Sequence, residues 1–302
     1  YQLRCFFFNS RQMKRFLSIV AFILFALFAT GTNRALVVCV GDYPEGSGWR
    51  DISSGRDRDL VVTMLHGSGF SLGNITVLSD SEATHSGILK ALSSLAGDCR
   101  VGDVVYVHFS CHGQQVTDLD GDEPDGWDEA LIPYDAKAVY GANGYLGQNH
   151  LLDDELNVYL EAIAQKVGSA GLVILVSDAC HSGDNDRYDE DVEDPLMRGI
   201  YDRFVIPGEP ARKTASRQEQ GKWIRLSACR EYQNNYEVVV DGKSYGRLSY
   251  SLSRVFGRGV DASSLILLTE REYAKLPVKT GRPVQKLDSS VPESLKNRII
   301  AE

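Results

Sequence analysis

The sequence predicts an α/β fold: a three-layer α/β/α sandwich on a mostly parallel central sheet. Two patterns carry this. Short runs rich in β-branched residues alternate with segments of helical period. The runs are apolar throughout rather than alternating, as expected of strands covered on both faces. Residues 35–40 (Ala-Leu-Val-Val-Cys-Val) read as a strand that ends in the turn Gly41-Asp42-Tyr43-Pro44. Residues 57–67 place Leu60, Val61, Met64 and Leu65 at helical spacing, and 74–78 form a second strand. Residues 84–96 are amphipathic, with Ile88, Leu89, Leu92 and Leu95 on one face. A third strand covers 103–109, a helix 153–166, a fourth strand 172–176 and a fifth 223–227; 246–256 and 263–274 read as helices.

At 302 residues, 43% hydrophobic and 24% charged, the chain is long enough for one large core and is not of disordered composition. Its formal net charge of −9 argues against nucleic acid or anionic lipid as the main partner. It suits a cationic substrate or a bound cation. The acid is concentrated: seven acidic residues lie within 118–129 and seven within 184–194. Alone, such runs usually mark solvated loops.

Met13-Lys14-Arg15, the apolar run 16–28 and the small residues Ala29-Thr30-Gly31 read as a secretory signal peptide, residues 1–31, with 1–12 as an upstream extension. The apolar run is short for a membrane span. A secreted or periplasmic chain with no membrane span after signal removal is expected, an uncleaved anchor being the alternative. Cys39, Cys99, Cys111, Cys180 and Cys229 are scattered without a CxxC pair, which gives no support to a zinc site. In an exported protein, disulfides are permitted, and the odd number leaves at least one free thiol.

In parallel α/β sheets, ligands bind beyond the carboxyl ends of the strands. The third strand runs into Ser110-Cys111-His112-Gly113, and the fourth into Ser177-Asp178-Ala179-Cys180-His181-Ser182-Gly183. Two strands thus deliver a His and a Cys to one edge. Cys180 is expected at an exposed strand tip, as a nucleophile, with His112 handling the leaving-group proton. The N–H groups of Gly113 and Cys180 are the expected oxyanion donors. For a random Cys and His, a buried thiol and a hydrogen-bonded core imidazole would be the better reading; small neighbours at both strand ends favour catalysis. His181 competes weakly as a base, and His108 reads as structural. Residues 185–222 are polar, contain Pro195, Pro207 and Pro210, and show little period. They read as a long linker between a larger part, 32–184, which carries His112 and Cys180, and a smaller part with a C-terminal extension, 223–302.

Four segments, in order, resemble the metacaspases of the caspase superfamily. They are Tyr106-Val-His-Phe-Ser-Cys-His-Gly113, Leu119-Asp-Gly-Asp-Glu-Pro-Asp-Gly-Trp-Asp-Glu-Ala130, Val176-Ser-Asp-Ala-Cys-His-Ser-Gly183 and Ile224-Arg-Leu-Ser-Ala-Cys-Arg-Glu-Tyr-Gln233. The Gln-Ala-Cys-Arg-Gly string of true caspases is absent. The resemblance, to a type I-like and secreted bacterial member, implies a caspase-like sandwich and a cysteine endopeptidase that uses Cys180 and His112. It implies cleavage after Arg or Lys in peptide or protein substrates, an acidic pocket of Asp57 and Asp178 with Ser110 and Ser54, and a monomeric chain. It also implies activation by calcium at Asp128, Asp153 and Asp154 with Asp184 or Asp186, and no organic cofactor. The acidic loop is no EF-hand, since Glu123 stands at the position that needs Gly. Cys111 replaces the family's Gly before the catalytic His and puts a second thiol beside it. The linker bases Arg198, Arg203, Arg212, Lys213, Arg217 and Lys222 are candidate self-cleavage points. The rival readings are a clostripain- or gingipain-like peptidase and an inactive caspase-like binding domain.

Overall fold

The computed structural model describes residues 31–121, 123, 125–180, 196–208, 222–230, 233–279 and 284–301. The expected signal peptide and the acidic run 184–194 lie outside them. Among the described residues, no helix is long and apolar enough to cross a membrane.

The strands are β1 (Asn33–Cys39), β2 (Ile75–Ser79), β3 (Val104–Ser110), β4 (Gly113–Thr117), β5 (Trp127–Leu131), β6 (Leu151–Leu152), β7 (Leu172–Asp178), β8 (Ile224–Ser227), β9 (Val238–Val240), β10 (Lys243–Tyr245) and β11 (Asp288–Ser290). The helices are α1 (Ser54–Gly67), α2 (His85–Asp98), α3 (Asp153–Val167), α4 (Arg247–Val255) and α5 (Ala262–Lys275). The main sheet runs β11-β8-β7-β3-β1-β2, parallel except for the β11–β8 edge pair.

The three layers follow from the period of two along buried strands. Leu36, Val38, Val105, Val107, Val173 and Leu175 point to one face, where Ile88 and Leu92 of α2 and Leu156 and Leu160 of α3 cover them. Their neighbours Ala35, Val37, Tyr106, Leu172, Ile174 and Val176 point to the other, under α1, α4 and α5. Both faces are dry, so these strands contain almost no polar residue until their carboxyl ends.

The register of β3 on β7 locates the site. Ser110 pairs with Asp178. His112 and Cys180 each follow two residues later, so equal spacing from one paired rung brings them to the same level. Cys39 of β1 pairs with Ser110 on the other side, which sends the loop after β1, with Tyr43, Trp49 and Arg50, over His112.

Several features were not legible as local patterns. The antiparallel sheet β4-β5-β6 stands beyond His112; its strands are too short and too polar to announce themselves. The β9–β10 hairpin and the β11 edge strand went unpredicted because each strand is only three residues long. The expected linker is corrected most: within it Met197, Arg198 and Phe204 are buried, Arg198 completely. None of the five described cysteines is disulfide-bonded.

At the amino end of the sheet, buried Asp103 accepts from the Thr32 N–H (2.8 Å) and the Arg100 N–H (3.0 Å), and pairs with Arg34 Nε (2.8 Å). Asp103→Ala strands these donors and is expected to cost roughly 2–4 kcal/mol, read as a fall in denaturant midpoint at unchanged m-value.

Candidate functional site

The site begins with His112. Its Nε2 lies 2.8 Å from the Arg50 carbonyl oxygen. A carbonyl only accepts, so Nε2 carries the proton and Nδ1 is left with its lone pair. Nδ1 is buried and has no hydrogen-bond partner. The ring is held between Tyr43 and Trp49, each 5.1 Å away by centroid. The Tyr43 hydroxyl receives the His112 N–H (3.2 Å) and donates to the Ile132 carbonyl (3.0 Å). The loop after β1 thus sets the imidazole's tautomer and tilt. Tyr43 was visible in the sequence only as part of a turn.

Cys180 is buried, not exposed as expected. Its Sγ accepts from the Asn235 N–H at 3.1 Å. The cover is the segment 196–199, which lies across it. Burial pushes the thiol up to about 12, against the lowering effect of the N–H groups of Asn235 and Arg198. Burial also pushes His112 down to about 3. In the intact chain the pair is therefore a neutral thiol and a neutral imidazole.

The covering segment is bound as an added strand. The Glu237 N–H donates to the Leu196 carbonyl (2.7 Å), and the Arg198 N–H donates to the Asn235 carbonyl (2.9 Å). Met197 and Tyr236 form an antiparallel bridge, and Arg50 Nη2 donates to the Met197 carbonyl at 3.0 Å. The Arg198 carbonyl oxygen receives two N–H groups, from Gly113 (3.2 Å) and Cys180 (3.1 Å). The next residue, Gly199, touches Cys180: a Cβ there would stand 2.7 Å from Cys180 Cβ and 3.0 Å from Sγ. The Arg198–Gly199 peptide group thus lies over the thiol with its oxygen in a two-donor cradle.

The Arg198 side chain fills a fully buried carboxylate pocket. Nη2 is 2.6 Å from Asp57 Oδ2 and 3.0 Å from Glu237 Oε1, while Nη1 is 3.8 Å from Asp178 Oδ1. Nη1 also donates to Ser110 Oγ at 2.7 Å; the Ser110 hydroxyl lies 2.8 Å from Asp57 Oδ2 and 2.9 Å from Ser54 Oγ. Asp57 comes from α1, Ser110 from β3 and Asp178 from β7. Burial, partly offset by Arg198 and reinforced by Asp178, pushes Asp57 up to about 6. Burial also opposes ionisation of Asp178, but Arg198, the Ser249 N–H and hydroxyl and the Asn235 amide outweigh it and hold its carboxyl below the usual range. Gly246 is required here: its N–H donates to Asp57 Oδ1 (2.9 Å), and a Cβ would stand 2.2 Å from Asp178 Oδ2.

The structure therefore brings together every pocket residue expected from the sequence: Asp57, Asp178, Ser110 and Ser54. The sequence reading missed Glu237, whose carboxylate also receives the Ser53 N–H and hydroxyl, both at 2.7 Å. It lies in an unremarkable Asn-Asn-Tyr-Glu stretch, and only the chain path makes it a partner of Asp57. His181 lies outside the described residues. His108 is structural, near the Tyr106 hydroxyl (3.3 Å) and Ser249 Oγ (3.2 Å). Cys111 is buried in the apolar cluster of Tyr43, Trp49 and Ile132, and burial pushes its thiol up to about 12.

A second acidic constellation stands at the small sheet. Carboxylate oxygens of Asp118, Asp120 and Asp128 lie within 4.8 Å of one another, as do those of Glu123, Glu129 and Asp153. Asp128 Oδ1 is buried with no hydrogen-bond partner. Burial, then Asp118, Asp153, Asp154 and Asp120, push its carboxyl up to about 8. Burial, then Asp120 and Asp118, raise Asp154. Asp118 and Asp120 stand with the expected Asp128, whereas the expected Asp153 stands with Glu123 and Glu129; Asp184 and Asp186 lie outside the described residues.

Comparison with known proteins bears on the family and the fold. Residues 69–185 match the family described as metacaspase, peptidase C14 domain. The chain is 30% identical over 161 residues to Metacaspase-1A of Aspergillus oryzae, covering 51% of this chain and 35% of that protein. It is 30% identical over 160 residues to Metacaspase III c of Phaeodactylum tricornutum, covering 51% of this chain and 44% of that protein. The aligned part is thus less than half the length of either relative. Two solved structures share the fold. A protein from Geobacter sulfurreducens superposes with a TM-score of 0.59 at 21% identity, over 89% of this chain and 98% of that one. Caspase-1 from Spodoptera frugiperda superposes with a TM-score of 0.54 at 13% identity, over 89% of each. The chain thus has a caspase-like α/β fold, and within it residues 69–185 are similar to the metacaspase, peptidase C14 domain.

Proposed function

We propose that the chain is a cysteine endopeptidase that cleaves after Arg or Lys, using Cys180 as nucleophile and His112 as its proton partner. One observation carries this reading: an arginine of the chain itself is bound with its guanidinium among carboxylates, its carbonyl oxygen between two N–H donors and its following peptide bond over a thiol. That arrangement fits a substrate poised for acyl transfer. Sγ adds to the carbonyl carbon, and the developing oxyanion stays between the Gly113 and Cys180 N–H groups. The thiol proton passes to the leaving amine, with His112 Nδ1 as the free lone pair available to relay it. The C–N bond breaks, leaving a thioester on Cys180. Water then hydrolyses the thioester, releasing a carboxylate product and restoring the thiol. The N-terminal segment supports export of the chain, by the composition of residues 13–31.

The same reading makes Arg198–Gly199 the first bond cut, in cis, among the linker bases. The purified wild-type chain should yield a fragment with Gly199 as its new N-terminus by mass spectrometry, and Cys180→Ala should yield none. Once cut, the enzyme should hydrolyse fluorogenic peptides ending in Arg and not those ending in Asp. Cys180→Ala and His112→Ala should lower kcat by about a thousandfold or more. Hydrolysis after Asp, or none in the presence of calcium and reductant, overturns the reading in favour of a binding module.

Glu237 sets a finer preference. It completes a fork of carboxylates around both terminal nitrogens of a guanidinium, a geometry that a point-like ammonium does not fill. Glu237→Gln is expected to lower kcat/KM for Arg peptides by roughly ten- to a hundredfold, with a smaller loss for Lys peptides, so the Arg/Lys ratio falls.

Calcium fits the second acidic constellation: hard oxygen donors, clustered, one of them buried and unsatisfied. Asp128, Asp153 and Asp154, with Asp118 and Asp120, are the residues proposed to hold it. When bound it supplies positive charge that allows these acids to ionise together. Without it, the raised Asp128 favours the folded state only while protonated, so stability falls as pH rises from about 4 through about 8. Calcium should therefore raise the melting temperature, more at pH 8 than at pH 5, and Asp128→Asn should abolish that pH-dependent increment. Equal melting curves with calcium and with chelator at pH 8 would remove calcium from the mechanism.

A further inference from the structure

Beyond Gly199 the chain does not leave the cleft. It turns along β4, making parallel bridges Gly113↔Gly199 and Val116↔Phe204. The Phe204 N–H donates to the Gln115 carbonyl (2.8 Å), and the Thr117 N–H donates to the Phe204 carbonyl (3.1 Å). Ile206 N–H reaches Thr117 Oγ1 (3.0 Å), and the Gln114 amide reaches the Asp202 carbonyl (2.9 Å). Four residues lie between Gly199 and Phe204, against two between Gly113 and Val116, so residues 200–203 bow outward; Asp202 is exposed. Phe204 is the anchor at the far end. It is 1% exposed and sits in an aromatic pocket, with His150 at 4.4 Å and Tyr140 and Tyr145 at 5.8 Å by centroid. Gly147 forms one wall: a Cβ there would stand 2.9 Å from the ring.

We infer that the β4 edge and the pocket of Tyr140, Tyr145, Gly147 and His150 form a substrate-docking site on the leaving-group side of the cleft. Its ligand is an extended polypeptide with an aromatic side chain six residues beyond the cleaved bond. The inference rests on the peptidase reading for its direction, because Arg198–Gly199 defines position zero. Two features, the main-chain pairing and the ring pocket, point to a reading site rather than mere packing. The contacts to the strap's main chain accept any sequence, as in strand addition to a sheet edge. Of the bowed residues between, Asp202 is exposed, while Ile200 and Tyr201 are part-buried and Arg203 reaches Gln115 Oε1 (3.0 Å) and the Trp127 ring. The pocket then selects one ring, with the His150 imidazole kept neutral, at about 4, by burial. In the intact chain residues 199–206 occupy the site; a substrate in trans must displace them, and Phe204 is what it competes with.

The test uses the full chain as Phe204→Ala, which leaves the pocket without its own ring. The probes are two quenched peptides, Leu-Met-Arg-Gly-Ile-Tyr-Asp-Gln-Phe-Val-Ile and the same peptide with Ala for Phe, alongside a short Arg substrate with a fluorogenic leaving group. The Phe peptide should have a kcat/KM about tenfold or more above the Ala peptide, while the short substrate reports the catalytic reading alone. Equal values for the two long peptides, with the short one cleaved, overturn the docking site and leave the peptidase intact. If the short substrate is not cleaved, anisotropy of labelled peptides on the Cys180→Ala, Phe204→Ala double variant still decides: tighter binding of the Phe peptide supports the site, equal binding overturns it. Should Phe204→Ala fail to fold, Phe204→Leu, which keeps an apolar anchor, is put through the same comparison with the same two outcomes.

Discussion

One interaction organises the carboxyl end of this sheet: a fully buried guanidinium among three carboxylates. Taking such charges out of water costs on the order of several kcal/mol per ion, recovered only where geometry and additional hydrogen bonds are good. The surroundings meet that demand from every side. Ser110 and Gly246 support Asp57, Ser249 and Asn235 support Asp178, and Ser53 supports Glu237. Three negative charges against one positive leave the pocket short of cations even when filled. An empty pocket would hold three like charges without a partner, so a basic side chain is the species that this arrangement stabilises.

Holding the guanidinium there fixes the rest of the strap. Arg198 cannot enter the pocket unless its own carbonyl lies near Gly113 and Cys180, and unless Gly199 passes the thiol at contact distance. The tight approach at Gly199 tolerates no side chain. On the far side Phe204 closes the span in its aromatic pocket. The strap thereby excludes water from Cys180 and His112, and that exclusion keeps thiol and imidazole both neutral. The electrostatics of the pair are a property of the covered cleft and not of the two residues alone.

The acidic residues near β5 obey the opposite logic. Here carboxylates cluster, and burial, then Asp118, Asp153, Asp154 and Asp120, raise the Asp128 carboxyl to about 8. The two acidic constellations look alike in composition. They differ in what acts on them: one contains its counter-charge as Arg198, and in the other neighbouring acids raise Asp128 further.

Much of this was legible in the sequence. Strands apolar throughout and helices of regular period declare a sheet covered on both faces, because burial leaves that mark on each segment separately. The motifs at the ends of β3 and β7 are likewise local, so His112, Cys180, Gly113, Asp178 and Ser110 could be named in advance. The short, polar strands β4 and β11 carry no such mark, since backbone pairing stabilises them, and β9, though apolar, is only three residues long. Residues 196–206 were misread for a related reason. Their polarity and prolines describe a linker, and nothing local says that Arg198 is neutralised by residues far away in the chain, or that Cys180 is buried beneath it. The sequence by itself determined the layered sheet and the chemical groups at its edge. Tertiary structure alone decided which charge meets which, that Glu237 joins Asp57 and Asp178, and that the chain's own arginine occupies the pocket. Long-range electrostatic pairing depends on where the chain returns, and no periodicity records that.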